Sequence, residues 1–329
     1  MKGSVFALCT VIVWAVMGVV NRYCVLKFHI NVIIFTSFLI FAAGVALLLI
    51  REPVKPENWK SGVRYSWLYT TMQMIKSFFM ISSYLYISTT ETSVLINIEV
   101  VLSYLLAYLF FKRVPQKRDY LGIIMILSGF ILFICSLPSS VRIPTAVLLV
   151  IAATASCTRS IVVEETSRKS PETTVRQKCG ISGYTMFVAG SVLILFFFLI
   201  ALLKFLAGEN LITTFAFLDY LPTMAEMLNP NTILSGCIAG FFLNASSVYF
   251  FYAALQWTKT ETFMAFRVFQ PALTYGFELL AALAYPLMQP ALNSKDLLLG
   301  GLILLGSVFI LVLPSKAERT DRAKSFITE

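Results

Sequence analysis

Four polar side chains follow one face of a segment that is otherwise apolar enough to lie in a membrane. They recur at steps of three, four and four residues, the repeat of an α-helix, and are Arg267, Gln270, Thr274 and Glu278. An arginine offers a fork of donors for a carboxylate or phosphate, and a carboxylate can receive a cation. Ionisable groups at mid-membrane cost at least about 2.5–3.5 kcal/mol and usually face a cavity or a partner. The pattern therefore indicates one wall of a polar path.

A second segment, residues 92–111, places its polar groups on one side and aliphatic groups on the other. Asn97, Glu99 and Tyr104 lie on the polar side. Arg267 and Glu278 are eleven residues apart, about 16 Å along a helix axis, so they cannot pair with each other. Glu99 is the candidate partner for Arg267, either as a structural ion pair or within a binding site. It is also the candidate for proton coupling, because a carboxylate removed from water favours its protonated form.

Other polar and aromatic side chains complete the predicted substrate-binding set. They are Trp14, Tyr69, Gln73, Lys76 and Asn244. Pro271 lies in the same sector as the polar stripe and predicts a kink there. Arg22 and Arg159 lie near predicted helix ends and are interpreted as side chains that snorkel to the interface.

The composition predicts a membrane protein. Hydrophobic residues make up 58% of the 329 residues and charged residues 13%, which is far from soluble usage. The six cysteines show no metal-ligand spacing, and there is one histidine. We therefore expect no metal, no cofactor and no enzymatic activity. No glycine-rich phosphate loop is present, which argues against ATP-driven pumping.

The elements that position these residues are ten predicted membrane-spanning helices. They cover about 4–24, 31–50, 65–88, 92–111, 120–137, 145–163, 181–206, 232–256, 262–285 and 297–313. With the N-terminus in the cytoplasm, 18 lysines and arginines fall on the inner side and four on the outer side. This bias predicts cytoplasmic termini. The net charge of +9 is thus a topology signal, and nucleic acid is not an expected partner.

The two halves share landmarks in the same order. Thr-Glu-Thr begins a span at residues 90–92 and again at 260–262. Each is followed, after a turn, by an aspartate and then a glycine ten residues later: Asp119 and Gly129, then Asp296 and Gly306. The predicted organisation is a first five-helix repeat (1–138), a second (139–313) and a cytoplasmic tail (314–329). Five spans per repeat invert the second repeat relative to the first, so the fold class is all-α, with ten transmembrane helices in two inverted repeats.

The chain resembles the EamA-like branch of the drug/metabolite transporter superfamily over residues 1–313. The resemblance is carried by WAVMGVVNR (14–22), by the segments beginning TETSVLINIEVV and DYLGIIMILSG, and by those beginning TETFMAFRVFQPALTYG and DLLLGGLILLG. Pro271 matches the family's helix-9 proline, whereas Val101 and FFKR (110–113) depart from the family's pattern in the first half. The resemblance implies secondary transport of amino acids, nucleotide-derived metabolites or quaternary amines. We expect a protein of the bacterial inner membrane, in contact with lipid, as a monomer or homodimer.

The residues of the predicted path indicate a small solute that is zwitterionic or cationic, such as an amino acid or S-adenosylmethionine. The alternatives are a membrane-embedded enzyme acting on lipid-linked substrates and a scaffold without a solute path. The loop at about 207–231 has its carboxylates scattered among apolar residues and is interpreted as an interfacial segment rather than an active site.

Overall fold

The computed structural model describes residues 2–170, 172–207, 221–290 and 293–312, and these form helices and their connections, without a strand. The predicted tail (314–329) and residues 208–220 of the predicted interfacial segment lie outside the described residues.

Residues 1–138 form six helices in the described part of the chain. These are α1 (Lys2–Phe28), α2 (Val32–Leu49), α3 (Pro56–Ser83), α4 (Thr89–Leu95), α5 (Ile98–Phe111) and α6 (Lys117–Ser136). Within its described residues, the second half forms α7 (Ser139–Lys169), α8 (Val175–Ala207), α9 (Met224–Met227), α10 (Pro230–Ile238), α11 (Ala245–Leu255), α12 (Thr260–Ala265), α13 (Gln270–Ala284) and α14 (Ser294–Val312). A π-helical turn (Ala239–Asn244) joins α10 to α11, a 3-10 turn (Phe266–Phe269) joins α12 to α13, and a second 3-10 turn (Pro286–Met288) follows α13.

Seven helical segments of the described chain are long and apolar enough to cross a membrane, which makes this a multi-pass membrane protein. Each of the ten predicted spans overlaps helical residues, but those at 65–88, 262–285 and 297–313 are not among the seven. The first of these three lies in α3, which carries Lys60, Arg64 and Lys76. The second is divided into short helices by the 3-10 turn.

Two spans are broken near their middles, and local chemistry explains both breaks. Between α4 and α5 the chain turns at residues 96–97. The Asn97 side chain donates to the carbonyls of Ser93 (2.9 Å) and Val94 (3.2 Å), which lose helical partners at the break. Before α13 the 3-10 turn intervenes, and Pro271 occupies the first turn of the new helix, where its missing N–H costs nothing. The expected kink at Pro271 is thus a break between two helices.

Helices of the first half pack on helices of the second in matched pairs. Glycines allow the closest crossings: a Cβ at Gly44 of α2 would lie 2.3 Å from the backbone nitrogen of Phe187 in α8, and one at Gly122 of α6 would lie 2.7 Å from the carbonyl oxygen of Gly306 in α14. The contact of α3 with α7 has a counterpart in α1 with α11, and that of α1 with α13 has one in α7 with α5. The two inverted repeats and their bounds stay a prediction.

Candidate functional site

The indole of Trp14 lies among three buried cations near the middle of the bundle. Lys76 Nζ is 4.6 Å from the centroid of the ring, Arg267 Cζ is 4.6 Å away and Arg159 Cζ is 5.6 Å away. These side chains come from α1, α3, α7 and the 3-10 turn. The relative exposure of the three cations is 4% or less. Cation–π contact with tryptophan partly offsets their desolvation.

The two broken spans bring Arg267 and Glu99 together. Arg267 lies in the 3-10 turn, and Glu99 lies in the first turn of α5. Their side chains form an ion pair that is 1% exposed on the arginine and fully buried on the glutamate. Arg267 Nε also donates to Gln270 Oε1 at 3.0 Å, so Gln270 helps to fix the guanidinium. Glu99 Oε1 has no hydrogen-bond partner among the described residues.

Arg159 forms a second polar cluster beside the Trp14 ring. Its Nη1 donates to Gln73 Oε1, and Gln73 Nε2 donates to Asn244 Oδ1 at 2.8 Å. The π-helical turn ends at Asn244, and such turns often occur at functional sites. The guanidinium also lies 4.2 Å from the ring of Phe251. The prediction that Arg159 snorkels to the interface is wrong, because its side chain is enclosed between α3, α7 and α11.

A close backbone approach allows the π-helical turn to reach the site. A Cβ on Gly240 would lie 2.4 Å from the carbonyl oxygen of Leu39 in α2, so only glycine fits there without a shift. Small residues in this span are typical of close helix packing, and this geometry gives the reason for a glycine at this position.

A small cavity of about 20 Å³ lies against this group of side chains. Trp14, Lys76, Arg267 and Gln270 line it, all four predicted from sequence, together with groups that were not predicted, such as Asn21. A cavity of this size has room for about one water molecule, so a metabolite could bind here only after the surrounding helices move apart.

The other predicted site residues lie outside the lining of this cavity. Gln73 accepts a hydrogen bond from Arg159, and Asn244 accepts one from Gln73. The ring centroid of Tyr69 lies 5.7 Å from the guanidinium carbon of Arg159. Asn97 bonds to its own helix. Thr274 is buried, and Tyr104 is half-buried against the hydrophobic core. Glu278 belongs to a different cluster.

The Arg22–Glu278 cluster closes one end of the bundle. Glu278 is fully buried and pairs with Arg22. It also accepts from the backbone N–H groups of Thr89 (2.9 Å) and Thr90 (3.1 Å) and from the Thr90 hydroxyl. It therefore caps the N-terminus of α4 from a distant helix. The interpretation of Arg22 as a snorkelling residue is wrong, since its guanidinium points into the bundle.

The Arg113–Glu164 cluster closes the opposite end. Glu164 of α7 accepts from the backbone N–H (2.9 Å) and hydroxyl (2.7 Å) of Thr260, the first residue of α12. Arg113 pairs with Glu164 and also with Glu261, at 3.0 Å. Lys112 ends α5 in the left-handed region (φ 55°) and so turns the chain to bring Arg113 inward.

These clusters contain residues that sequence reasoning missed. No role was assigned to Glu164 from the sequence, although its position just after the apolar run 145–163 could have indicated one. The shared Thr-Glu-Thr landmarks do have a structural meaning, because each begins a helix capped by a carboxylate from elsewhere. Residues 90 and 113, at the two ends of the fourth span, are 23 positions apart, about 35 Å for a helical path. The clusters therefore lie at opposite ends.

Membrane-crossing helices around a buried, charged cavity define the class as a multi-pass membrane protein with a central polar site. Residues 1–135 match the EamA-like transporter family, which confirms the resemblance for this part of the chain. A solved structure described as "Crystal structure of protein" is similar to this chain with a TM-score of 0.56 at 12% identity, covering 95% of this chain and 98% of that chain. At that identity the likeness shows the fold alone. A comparison with curated proteins found no match.

Proposed function

We propose that the protein is a secondary transporter that carries a small polar solute across a membrane by alternating access. The observation that carries the proposal is the arrangement of three buried cations and Glu99 around Trp14, beside a cavity and between two polar clusters that close the bundle. A scaffold would not need such groups, because each unpaired charge in the bundle destabilises it. The match of residues 1–135 to a transporter family supports the same function.

Two inverted repeats would supply the mechanism. Each half can adopt the conformation of the other, which exchanges an opening at one end for an opening at the other. The matched helix packing supports this mechanism. The two clusters are suited to act as gates, because the Arg22–Glu278 cluster ties α4–α5 to neighbouring helices and the Arg113–Glu164 cluster ties α12–α13 to neighbouring helices. The lysine and arginine bias favours cytoplasmic termini in a bacterial inner membrane. In that orientation the Arg22–Glu278 cluster is the outer gate.

Glu99 is suited to couple the solute to a proton. Its negative charge holds Arg267 in the ion pair. A proton on Glu99 would remove that charge and free Arg267 for a solute, so proton and solute binding would be linked. Glu99→Gln should remove the dependence of uptake on a pH gradient, and unchanged pH dependence in this variant would overturn the coupling role.

A zwitterionic or cationic solute, such as an amino acid or S-adenosylmethionine, would need a carboxylate for its positive group. Glu99 is the carboxylate at the centre, and Arg267 already occupies it. Such a solute would have to separate the ion pair, so the site favours it less than the sequence pattern suggested.

Uptake into proteoliposomes tests the transport function. Purified full-length protein is reconstituted and offered four solutes, succinate, glycerol 3-phosphate, lysine and choline, under an imposed pH gradient. We expect uptake of at least one solute above that of protein-free liposomes, and loss of this uptake in Arg267→Ala. Arg142→Ala is the matched control, because Arg142 binds only carbonyls at the α6–α7 connection in the described chain. No uptake of any solute, or equal uptake in Arg267→Ala, would overturn the proposal.

A further inference from the structure

We propose that the central site binds an anion, a small solute with two negative charges such as a dicarboxylate or a phosphate monoester, through Arg159 and Lys76. The inference rests on the proposed function and names the substrate class of the same site. It starts from the charges that the fold encloses.

The central site holds an excess of positive charge. Arg267 and Glu99 neutralise each other as an ion pair. The remaining two cations, Lys76 and Arg159, have no carboxylate partner among the described residues. The other buried carboxylates of the described chain are committed elsewhere. Glu278 pairs with Arg22, and Glu164 and Glu261 pair with Arg113. Three more accept backbone N–H groups at helix starts: Glu91, Asp119 and Asp296.

Arg159 carries donors that the protein leaves unsatisfied. Its exposure is 1%, and while Nη1 reaches Gln73, Nε and Nη2 have no hydrogen-bond partner within the described chain. Asn244 Nδ2, in the same cluster, also has none. A guanidinium does not lose its proton in proteins, so its charge must be compensated in place. Within the described chain, these donors of a buried arginine are therefore left for an acceptor that a solute can supply.

Lys76 lies on the wall of the cavity and supplies the second charge when it is protonated. A buried lysine, unlike an arginine, can lose its proton, and a bound anion favours the charged form. Lys76 is 4% exposed, and the contact that its ammonium group makes is with the Trp14 ring. The face of an aromatic ring is a weaker partner for an ammonium group than a carboxylate is. The lining of the cavity includes Lys76 but not Arg159, so an anion would contact both groups once the helices around Trp14 move apart. It would then replace the weak ring contact of Lys76 with a charge-assisted hydrogen bond.

A cationic solute fits this site poorly. It would add a third uncompensated positive charge beside Lys76 and Arg159, and the repulsion would be strong in a region that excludes water. A dianion balances the two excess charges. The geometry does not distinguish carboxylate from phosphate, so both chemistries are included in the test.

Thermal unfolding of the purified full-length protein in detergent tests the inference. Succinate, glycerol 3-phosphate, lysine and choline are titrated at constant ionic strength in sodium chloride. We expect succinate or glycerol 3-phosphate to raise Tm in a saturable way, because a ligand stabilises the state that it binds, and we expect lysine and choline to have no such effect. Whichever of the two anions raises Tm shows whether the site binds a carboxylate or a phosphate.

Three variants separate a binding role from a structural one. Lys76→Gln and Arg159→Gln should each weaken the effective anion about tenfold or more, the loss expected for one charge-assisted hydrogen bond. Lys76→Arg should retain binding because it keeps the charge. Lys76→Gln should also leave Tm of the unliganded protein unchanged or higher, since it removes an uncompensated charge, whereas loss of a structural contact would lower it.

The inference is overturned if neither anion shifts Tm, if lysine or choline shifts it instead, or if Lys76→Gln binds the anion as well as the parent protein does. Anion binding without flux in proteoliposomes would overturn the transport function and leave the binding site standing. Flux of lysine or choline without anion binding would do the reverse.

Discussion

The two end clusters both pair arginine with glutamate, but they differ in the number of glutamates per arginine. At one end a single arginine, Arg22, meets a single carboxylate, Glu278, whose side chain is fully buried. At the other end Arg113 is shared between Glu164 and Glu261, and its side chain is 26% exposed. The charges of the first cluster cancel and its side chains are nearly excluded from solvent. The second cluster has one more carboxylate than arginine, and its arginine is partly exposed.

The difference begins with the residue that caps each half-helix. Ser88 caps α4, and Glu91 completes a capping box with it through bonds of 2.7 and 3.1 Å. Glu91 is thus occupied locally. Lys259 stands at the cap position of α12 and provides no side-chain cap, and Glu261 binds Arg113 instead. Identical Thr-Glu-Thr motifs therefore play different roles because of their neighbours, and we expect the second end to open more easily.

Glu278→Gln should have the largest effect on stability. It leaves Arg22 buried without an anionic partner, and loss of one member of a buried pair costs about 3–5 kcal/mol. The free energy of unfolding, measured by denaturant titration in detergent, should fall by that amount. A fall of less than about 1 kcal/mol, typical of a surface pair, would contradict the description of this cluster as sealed.

Glu164→Gln makes the same chemical change in the second cluster and should cost less, about 1–2 kcal/mol. Arg113 keeps Glu261 as a partner, and the amide oxygen can still accept from Thr260. The same denaturant titration provides the comparison. Equal losses in Glu164→Gln and Glu278→Gln would show that the two clusters are energetically equivalent.

Glu261→Gln should convert the second cluster to one carboxylate per arginine, as in the first. With less repulsion between carboxylates, the free energy of unfolding should stay constant or rise by up to about 1 kcal/mol. Uptake into proteoliposomes should become slower, because the second end is then harder to open. A large loss of stability would mean that both carboxylates are required to hold Arg113.

The smallest effect should come from Glu226, a partly exposed carboxylate in α9 that binds Asn31 at 3.0 Å. Its burial acts to raise the pKa, but hydrogen bonds from Asn31 and Thr223 lower the pKa of Glu226 below its ordinary value. Its contribution to stability is therefore present above the ordinary pKa and is lost as the pH falls through the lower pKa of the folded protein.

The difference in Tm between the parent protein and Glu226→Gln should accordingly be small at neutral pH, corresponding to less than about 1 kcal/mol in the free energy of unfolding, and should vanish on acidification. Glu226 is hydrogen-bonded but only partly buried, whereas Glu278 is hydrogen-bonded and fully buried. Comparing the two variants therefore shows how much of the larger loss at Glu278 is caused by burial. A Tm difference that grows on acidification would contradict a lowered pKa for Glu226 in the folded protein.

Several features were accessible from the sequence for a clear reason. The polar stripe of α13 and the polar side of α5 follow from helical periodicity, which depends on nearby residues alone. The same reasoning paired Glu99 with Arg267 and placed Trp14, Lys76 and Gln270 near them. Asp119 and Asp296, chosen as repeat landmarks, cap α6 and α14 through the N–H groups of Gln116 and Asn293.

Other features depended on contacts between distant parts of the chain. Positions near predicted helix ends allow Arg159 and Arg22 to snorkel to the interface, which is why the sequence favoured that interpretation. Whether such a side chain turns outward or inward depends on the helices packed beside it. The break at Asn97 was missed because a short polar side chain that bonds to its own backbone gives no periodic signal.

The sequence alone determined that this chain builds apolar helices with charged groups inside, since hydrophobicity and helical period are local properties. The tertiary structure decided which charges neutralise one another. Arg22, Arg113 and Arg267 each find a carboxylate on another helix, and Lys76 and Arg159 do not find one within the described chain. Pairing across 256 residues, as between Arg22 and Glu278, is fixed by packing of the whole bundle, and that packing leaves the positive charge at its centre.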